Sequence, residues 1–390
     1  MTNRRIGTYI TQTVAVEPYK AYVPPKLLPD PPVDLTKLYP HLEKATLALA
    51  ELNSIHKSIP NTALFIYMYV RKEALLSSQI EGTQSSFADL MLFEHHQKPK
   101  VSLEDVEEVS NYVQAISYGL KRLKDGFPLS LRLLREIHGV LLSGGRGAGK
   151  LPGEFRRSQN WIGGTRPGNA LFVPPPVDHL TQCLSDFEKF LHDDSLPVLI
   201  KAGLAHVQFE TIHPFLDGNG RLGRLLITLI LCHNGMLDEP ILYLSLYFKQ
   251  NRHVYYDLLQ AVRIHGNWET WLEFFLDGIF RSATQAIQAA THINKLFAHD
   301  HQKITSLKRA RFSQLRILEY MQRLPQVTVA LLASELNITT PTARSALNNM
   351  VALGILEEIS GKKRDKIYIY RNYLDILEDG AQPFTVTRAQ

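Results

Sequence analysis

The sequence has few cysteines, no long apolar run and no strong excess of one charge. Its two cysteines, Cys183 and Cys232, lie in apolar stretches of helical pattern, so no disulfide framework is expected. The longest apolar stretch, 225–232, is far shorter than the roughly 20 residues that a membrane-spanning helix needs. Lysine and arginine number 43 against 38 acidic residues, and this net charge of +5 is too small to identify an anionic partner.

Residues 1–5 carry two arginines but are not followed by the apolar segment of a secretory signal peptide. Hydrophobic residues make up 45% of the chain and charged residues 21%, the balance of a globular protein without a membrane partner. Together with the unpaired cysteines, this composition predicts a cytoplasmic protein. A length of 390 residues allows two or three domains.

The hydrophobic spacing predicts a mainly α-helical protein with several segments. A proline-rich arm at 1–40 is expected to be extended, to make few backbone pairings and to drape over a helical core at 41–298. A charged linker is predicted at 299–311. Three helices followed by two alternating strands predict a winged helix-turn-helix at 312–375, with a tail at 376–390.

The predicted winged helix offers a thin basic surface. Its recognition helix is expected to run from Thr339 to Leu353, and Arg344 is the one charged residue suited to contact bases there. The wing adds Lys362, Lys363 and Arg364, which suit phosphate contacts. Winged helices also serve in dimerisation or protein docking, so DNA binding and protein binding both remain open.

The stretch 212–224 combines the groups that phosphate chemistry needs. Pro214 prevents a regular helix from passing through His213, and residues 218–220 can adopt turns that point successive N–H groups at one place. The apolar run 225–231 then predicts a buried helix. Because the N-terminus of a helix presents unpaired N–H groups and partial positive charge, an anion bound there is held by the backbone.

Four side chains of this stretch have complementary chemistry. Arg221 and Arg224 are three residues apart on the first turn of the predicted helix and can fork phosphate oxygens. A carboxylate such as Asp217 does not bind phosphate directly, but it can hold Mg²⁺ beside a polyphosphate. His213 titrates near neutral pH and can accept a proton from an attacking hydroxyl.

The same stretch resembles the signature of the Fic family, His-Pro-Phe-x-(Asp/Glu)-Gly-Asn-Gly-Arg-x-x-Arg, at every defined position. The resemblance implies transfer of AMP from Mg·ATP to a Ser, Thr or Tyr hydroxyl of a protein, with the chain itself as one candidate target. It implies that the Asn219 side chain and neighbouring amides stabilise the α-phosphate, while Arg221 and Arg224 hold the β- and γ-phosphates. The nucleotide-binding residues it implies are His213, Pro214, Phe215, Leu216, Asp217, Gly218, Asn219, Gly220, Arg221 and Arg224.

A second motif ends the helix predicted at about 62–82. Ser77-x-x-x-Glu81-Gly82 resembles the (Ser/Thr)-x-x-x-Glu-(Gly/Asn) inhibitory motif of Fic proteins that carry this helix before the core. The resemblance implies that Glu81 pairs with Arg224 and keeps the γ-phosphate of ATP from seating productively. A glutamate at a helix C-terminus is disfavoured by the helix dipole, which favours a specific partner over a solvated side chain.

Residues 157–174 predict a hairpin of two short extended arms. In the Fic family the matching hairpin is a flap that adds a strand to an extended target segment, although an ordinary surface hairpin has the same pattern. The residues expected to dock a target are Ile162, Gly163, Leu171 and Phe172.

Tyr255 and Tyr256 occupy the region where the family places aromatic contacts to the adenine side of the nucleotide. An aromatic pair on an apolar helix face belongs to a core equally often. Both interpretations therefore remain open from the sequence.

The resulting prediction is a Fic-type helical core with a β-hairpin flap and a C-terminal winged-helix domain. Its expected activity is that of a protein adenylyltransferase that uses Mg²⁺ and ATP, is autoinhibited by Glu81 and, by family expectation, forms a homodimer. Transfer of another phosphate-containing group, or removal of AMP by the same site, is an alternative. A nucleotide-sensing, DNA-binding transcriptional regulator is another.

Overall fold

The computed structural model describes residues 4–14, 17–58, 62–94, 99, 101–307, 311–361 and 365–382. These residues form a mostly helical protein, as predicted. The core helices are α1 Leu35–Ser58, α2 Thr62–Ile80, α3 Phe87–Glu94, α4 Leu103–Lys124, α5 Leu131–Leu141, α6 Val177–Leu191, α7 Val198–Ile212, α8 Asn219–His233, α9 Ser245–Gln250, α10 Arg252–His265 and α11 Trp268–Thr305. The later helices are α12 Arg311–Arg323, α13 Val329–Glu335, α14 Thr340–Ala352 and α15 Arg371–Glu378, and the strands are β1 Thr8–Val14, β2 Glu17–Val23, β3 Gln326–Thr328, β4 Glu357–Glu358 and β5 Ile367–Ile369.

Helices α7 and α8 form the centre of the core. Every residue of α7 from Leu199 onward is buried, and so is α8 from Arg221 to Leu231. An apolar surface on all sides of a helix must be covered on all sides, and here α2, α4, α5 and α11 pack around the pair. Trp271 of α11 donates its indole N–H to the carbonyl of Gly203, 2.9 Å away. The loop between α7 and α8 is therefore held by rigid neighbours.

The N-terminal arm is more ordered than its prolines suggest. Strands β1 and β2 pair antiparallel along their whole length, in contrast to the few pairings predicted for the arm. Pro18 is compatible with this pairing because it lies next to the turn, opposite Thr13. Arg4 then fixes the start of the arm, since its guanidinium forms two 2.7 Å bonds to the Glu269 carboxylate on α11.

Helix α11 runs for 38 residues and ends at Thr305, so most of the stretch predicted as a linker is helical. Beyond it, α12 to α14 and a small sheet form the winged helix, in which β5 lies between β3 and β4. The sheet has one strand more than the predicted two-stranded wing. Helix α15, which the sequence did not predict, packs back on α2 and α11.

No helix among the described residues is long and apolar enough to cross a membrane. Both cysteines are free thiols; Cys183 is buried and Cys232 is half-buried.

Candidate active site

The loop between α7 and α8 turns sharply at both ends. His213 ends α7 in the left-handed conformation (φ 48°, ψ 61°) and donates its N–H to the carbonyl of Phe209 at 2.9 Å. Gly218, also left-handed at φ 74°, precedes the first residue of α8. Glycine adopts that conformation without strain, whereas His213 is held in it by its neighbours. The loop thus places His213 beside the N-terminus of α8.

Two side chains that the sequence analysis did not single out hold the backbone of this loop. The fully buried Arg156 donates from Nε to the carbonyl of His213 at 3.0 Å. Asn160 donates from Nδ2 to the same carbonyl at 3.1 Å and to that of Phe215 at 2.8 Å. The loop is therefore fixed by side chains that lie more than 50 residues earlier in the chain.

His138 on α5 supports the other side of the loop. Its ring stacks on Phe215 with centroids 3.7 Å apart. Its Nδ1 accepts the N–H of Gly153 at 2.9 Å, so Nε2 carries the proton and donates to the carbonyl of Asp217 at 3.0 Å. Burial lowers the pKa of His138 to about 4, so the ring is neutral and supports the loop in a fixed position.

Asn219 holds the backbone of the loop. Its Oδ1 accepts the N–H of Phe215 at 2.9 Å, and its Nδ2 donates to the carbonyl of the same residue at 2.8 Å. Both polar atoms of this buried side chain are thus committed to the loop backbone. Asn219 therefore shapes the turn, and its contact with the α-phosphate stays a prediction that would use the second N–H of Nδ2.

The catalytic candidate His213 lies close to the carboxyl group of Glu210, one turn earlier on α7. Nδ1 of His213 and Oε2 of Glu210 are 3.8 Å apart. Burial, aided by the positive charge of Arg263, lowers the pKa of His213 to about 4. Burial also raises the pKa of Glu210 to about 7. His213 is consequently neutral at physiological pH and able to accept a proton.

Arg224 on α8 and Glu81 at the end of α2 form an ion pair, with Nη2 and Oε1 2.6 Å apart. Arg224 also donates to the hydroxyl of Ser77 at 2.9 Å and to its carbonyl at 3.0 Å. Burial alone would raise the pKa of Glu81, but the Arg224 charge outweighs it and the pKa is lowered. A Cβ on Gly220 would overlap Oε1 of Glu81. The carboxylate therefore lies directly against the first turn of α8, with Gly82 (φ 106°) ending its segment.

Arg221 and Asp217 complete the loop. Arg221 is buried, with Nη1 3.3 Å from Oε2 of Glu108 and Nη2 3.5 Å from Oδ1 of Asp217. The Asp217 side chain is 41% exposed, so its carboxylate can reach a solvent-side cation. Among the described residues no three His, Cys, Asp or Glu side chains cluster as metal ligands. A single exposed carboxylate is the kind of protein ligand that Mg²⁺ takes beside phosphates.

Three family models match the chain. They are Fic/DOC family N-terminal at residues 39–121, Fic/DOC family at 128–231 and MarR family at 307–365. The chain carries a two-part Fic/DOC core followed by a MarR-family winged helix. The predicted fold class is thereby confirmed.

Relatives and solved structures agree with this assignment. "Protein adenylyltransferase Fic" of Aedes aegypti is 34% identical over 146 residues, which are 36% of this chain and 26% of the relative. The protein of the same name from Culex quinquefasciatus is 28% identical over 265 residues, 66% of this chain and 49% of the relative. The chain thus spans half or less of these relatives. The fold resembles that of a Fic family protein from Desulfovibrio desulfuricans G20, with a TM-score of 0.55 at 19% identity, covering 85% of this chain and 96% of that one.

The two tyrosines near the Fic loop have different environments. Tyr255 is buried, and its hydroxyl lies 2.8 Å from Nε2 of His206 within a cluster that includes Phe248 and Trp271. Its burial favours the core interpretation of the two that the sequence left open for Tyr255. Tyr256 is 38% exposed, and the guanidinium carbon of Arg252 lies 5.3 Å from its ring centre.

The flap of the Fic core is a minimal hairpin. Ile162 and Phe172 form a single antiparallel bridge, closed by a 3₁₀ turn at Pro167–Asn169. Leu171 is 81% exposed, and Gly163 is exposed beside it. Phe172 is buried under the guanidinium of Arg263, whose carbon lies 3.9 Å from the ring centre. Of the four predicted docking residues, Phe172 therefore anchors the flap instead of facing a target.

The winged helix presents a groove of about 700 Å³ between α14 and the wing. Arg344 lies exposed on this face of α14, and Lys366 lines the opposite wall, 3.4 Å from Glu358. The predicted wing contacts Lys362, Lys363 and Arg364 lie outside the described residues.

Proposed function

We propose that this protein is a Fic adenylyltransferase that transfers AMP from Mg·ATP to a Ser, Thr or Tyr hydroxyl of a protein. The observation that carries the proposal is the position of Glu81. Its carboxylate lies at the N-terminus of α8 and against the buried Arg224, where a phosphate would find the same charge and the same N–H groups. The names of the relatives that match this region support the same activity.

In the proposed reaction, neutral His213 removes the proton of the target hydroxyl as its oxygen forms a bond to the α-phosphorus of ATP. The bond from that phosphorus to the oxygen of the β-phosphate breaks, and pyrophosphate leaves. The N–H groups of the first turn of α8, with Arg221 and Arg224, stabilise the charge that develops on the phosphates. Mg²⁺ held by Asp217 would neutralise part of that charge.

The proposal includes autoinhibition by Glu81. A carboxylate and a γ-phosphate require the same face of the Arg224 guanidinium, which has room for only one of them. Because Ser77 also bonds Arg224, this arginine stays fixed whether or not Glu81 is present. Withdrawal of Glu81 alone should therefore open a preformed phosphate site.

Incubation with ATP labelled at either the α- or the γ-phosphorus tests the activity. We expect the protein to acquire label from α-labelled ATP only, more strongly in Glu81→Gly than in the wild type. His213→Ala in the Glu81→Gly background should abolish labelling yet retain ATP binding, because the phosphate contacts lie elsewhere. Labelling from γ-labelled ATP would indicate transfer of phosphate instead. Failure of both labels in Glu81→Gly would refute the enzyme proposal for ATP.

DNA binding by the winged helix is a second candidate function, supported by the groove that Arg344 and Lys366 line. Basic side chains on a recognition helix and wing suit base and phosphate contacts. A gel-shift titration with mixed DNA fragments, repeated at rising salt, tests it. We expect Arg344→Ala to lose selectivity among fragments. Equal, weak binding to all fragments in wild type and variant would refute it.

A further inference from the structure

Glu210 is a buried acid next to the catalytic candidate, and the proposed reaction leaves it without a role. It lies on the last turn of α7, three residues before His213, with a side chain that is only 8% exposed. Its Oε2 faces Nδ1 of His213 at 3.8 Å. The other oxygen, Oε1, has no hydrogen-bond partner among the described residues, and neither has Nδ1 of His213.

The space around this carboxylate depends on Gly223, which occupies an undefined position of the Fic signature. A Cβ on Gly223 of α8 would lie 2.5 Å from Oε1 of Glu210. The carboxyl group is thus wedged between α7 and the backbone of α8, and any side chain at 223 would displace it. A buried polar pair that lacks partners costs stability, so packing does not explain its presence.

The charges around the pair explain what Glu210 can contribute. Arg263 and Arg156 both disfavour a protonated His213, whereas the Glu81 carboxylate favours it. In the proposed open form Glu81 has withdrawn. An imidazolium formed during transfer would then face arginines, unless Glu210 supplies negative charge on its Nδ1 side.

We propose, building on the adenylyltransferase function, that Glu210 is the positioning residue of His213. In this role it accepts a hydrogen bond from Nδ1–H, which leaves the lone pair of Nε2 toward the target hydroxyl. Above about pH 7, where Glu210 is ionised despite its burial, its carboxylate stabilises the imidazolium that forms when Nε2 takes the hydroxyl proton, and it gains no proton itself. The proton later leaves from Nε2 to solvent.

The test compares Glu210→Gln, Glu210→Asp and Gly223→Ala, each in the Glu81→Gly background. We expect Glu210→Gln to lower kcat by roughly 100-fold, the size of a general-base contribution, with the KM for ATP unchanged. The acidic limb of its kcat/KM profile should move to lower pH, because loss of the carboxylate lowers the pKa of His213. Glu210→Asp should restore part of the rate, and Gly223→Ala should mimic Glu210→Gln.

Glu73 provides a matched control. It is equally buried, its pKa is also raised to about 7 by burial, and its partners are Ser245 and Tyr112 instead of a histidine. Glu73→Gln should leave the acidic limb of the kcat/KM profile at the same pH as in the Glu81→Gly parent. If the Glu81→Gly parent labels itself and Glu210→Gln matches it in rate and pH profile, the positioning role is refuted. If the parent does not label, the proposed function has failed first.

An independent observation concerns Gln79, which lies between Ser77 and Glu81. Its fully buried amide donates to the carbonyls of Ser85 and Ala381, each at 2.9 Å. Its Oε1 accepts from Nζ of Lys249 at 2.7 Å, and Lys249 also bonds the carbonyl of Gln382. The segment that carries Glu81 is thus tied directly to the chain that follows the winged helix.

The C-terminal segment 380–382 lies on the core, and the chain before α15 is joined to the winged helix where Tyr370 donates its N–H to the carbonyl of Pro325 at 2.8 Å. The segment follows α15, which packs on α2 and α11. Gly380 adopts φ 73°, and a Cβ there would lie 2.7 Å from Cδ1 of Leu246. Just before α15, the hydroxyl of Tyr370 donates to Asp300 of α11 at 2.6 Å. A shift of the winged helix would therefore pull on α15 and on the residues that Gln79 bonds.

We infer that segment 380–382 restrains the Ser77–Glu81 segment, so that a partner engaging the winged helix can release Glu81 from Arg224. The inference rests on the proposed autoinhibition. Gln79→Ala removes the hydrogen bonds between α2 and the C-terminal segment. Gly380→Val displaces the C-terminal segment without altering α2. Gln285→Ala is the control, because Gln285 bonds Asp379 next to the segment but not α2.

Hydrogen exchange of amides 77–83 gives a readout that does not depend on activity. We expect Gln79→Ala and Gly380→Val to speed that exchange and to raise self-labelling about fivefold, and Gln285→Ala to change neither. Unchanged exchange in both variants would overturn the restraint. If Glu81→Gly labels itself, but Gln79→Ala and Gly380→Val speed exchange without raising labelling, then the Gln79 hydrogen bonds do not control the position of Glu81.

Discussion

Replacing Glu81 by glutamine should change stability and ATP affinity in opposite directions. The substitution keeps the shape of the side chain but removes the charge that Arg224 contacts at 2.6 Å. A hydrogen bond to a charged group contributes about 1.5–3 kcal/mol when buried. Because the Glu81 side chain is 38% exposed, solvent screening reduces the expected loss to about 1 kcal/mol in the free energy of unfolding.

In the wild type, a γ-phosphate that binds Arg224 must first break the ion pair with Glu81, at a cost of about 1 kcal/mol. Glu81→Gln removes this cost, so we expect the variant to bind Mg·ATP about fivefold more tightly. Urea denaturation of the nucleotide-free protein and calorimetric titration with Mg·ATP measure the two effects. Glu269→Gln is a suitable control, since Glu269 pairs with Arg4 instead of Arg224 and should affect stability alone. Lower stability with unchanged ATP affinity would show that the Glu81 pair is only structural.

A double-mutant cycle with Gly220 locates the carboxylate in solution. A Cβ at 220 would overlap Oε1 of Glu81 and lie 3.1 Å from Nη1 of Arg224. Gly220→Ala should therefore displace Glu81 and destabilise the wild type, but not the Glu81→Gly variant. We expect a coupling free energy of about 1 kcal/mol, the value of the lost ion pair. A coupling near zero would mean that Glu81 does not lie against α8.

Three further variants test the supports of the loop. Arg156→Ala should lower the free energy of unfolding by about 3 kcal/mol in urea titrations, since it removes one of the two donors to the His213 carbonyl and the donor to the buried Pro175 carbonyl. Asn219→Ala should cost about 2 kcal/mol and should reduce transfer more than ATP binding, because both of its bonds hold Phe215. Tyr255→Phe should cost about 1 kcal/mol by removing a bond to His206, and should leave the KM for ATP unchanged. A raised KM in the last case would restore Tyr255 to the nucleotide site.

Features with local causes were predictable from the sequence. Helix α4 begins after Ser102 and α5 after Ser130, where each serine accepts an N–H from three residues on, at the positions that the capping pattern indicates. Helix α2 ends at Ile80, just before Gly82 takes a positive φ. The loop motif was predictable for the same reason, since its glycines and proline constrain the backbone directly.

Features with distant partners were not predictable. Arg156 and Asn160 act on main-chain carbonyls beyond residue 210, and carbonyls carry no residue type that a pattern could match. The pairing of β1 with β2 was missed because prolines suggested an unpaired arm, although only the turn-side end of β2 holds one. Tyr255 was ambiguous because the same aromatic pattern serves a core and a base contact.

The one distant contact that the family resemblance implied, Glu81 with Arg224, has an electrostatic reason. A glutamate just after α2 lies at the negative end of that helix dipole, which disfavours it. In the structure the same carboxylate lies at the positive end of the α8 dipole, beside a buried guanidinium. The favourable interaction with α8 therefore offsets the unfavourable interaction with α2. Whatever makes the α8 N-terminus attractive to a phosphate therefore also makes it attractive to Glu81. A substitution that strengthens the phosphate site should strengthen its inhibitor as well, and release must act on the Ser77–Glu81 segment rather than on the loop.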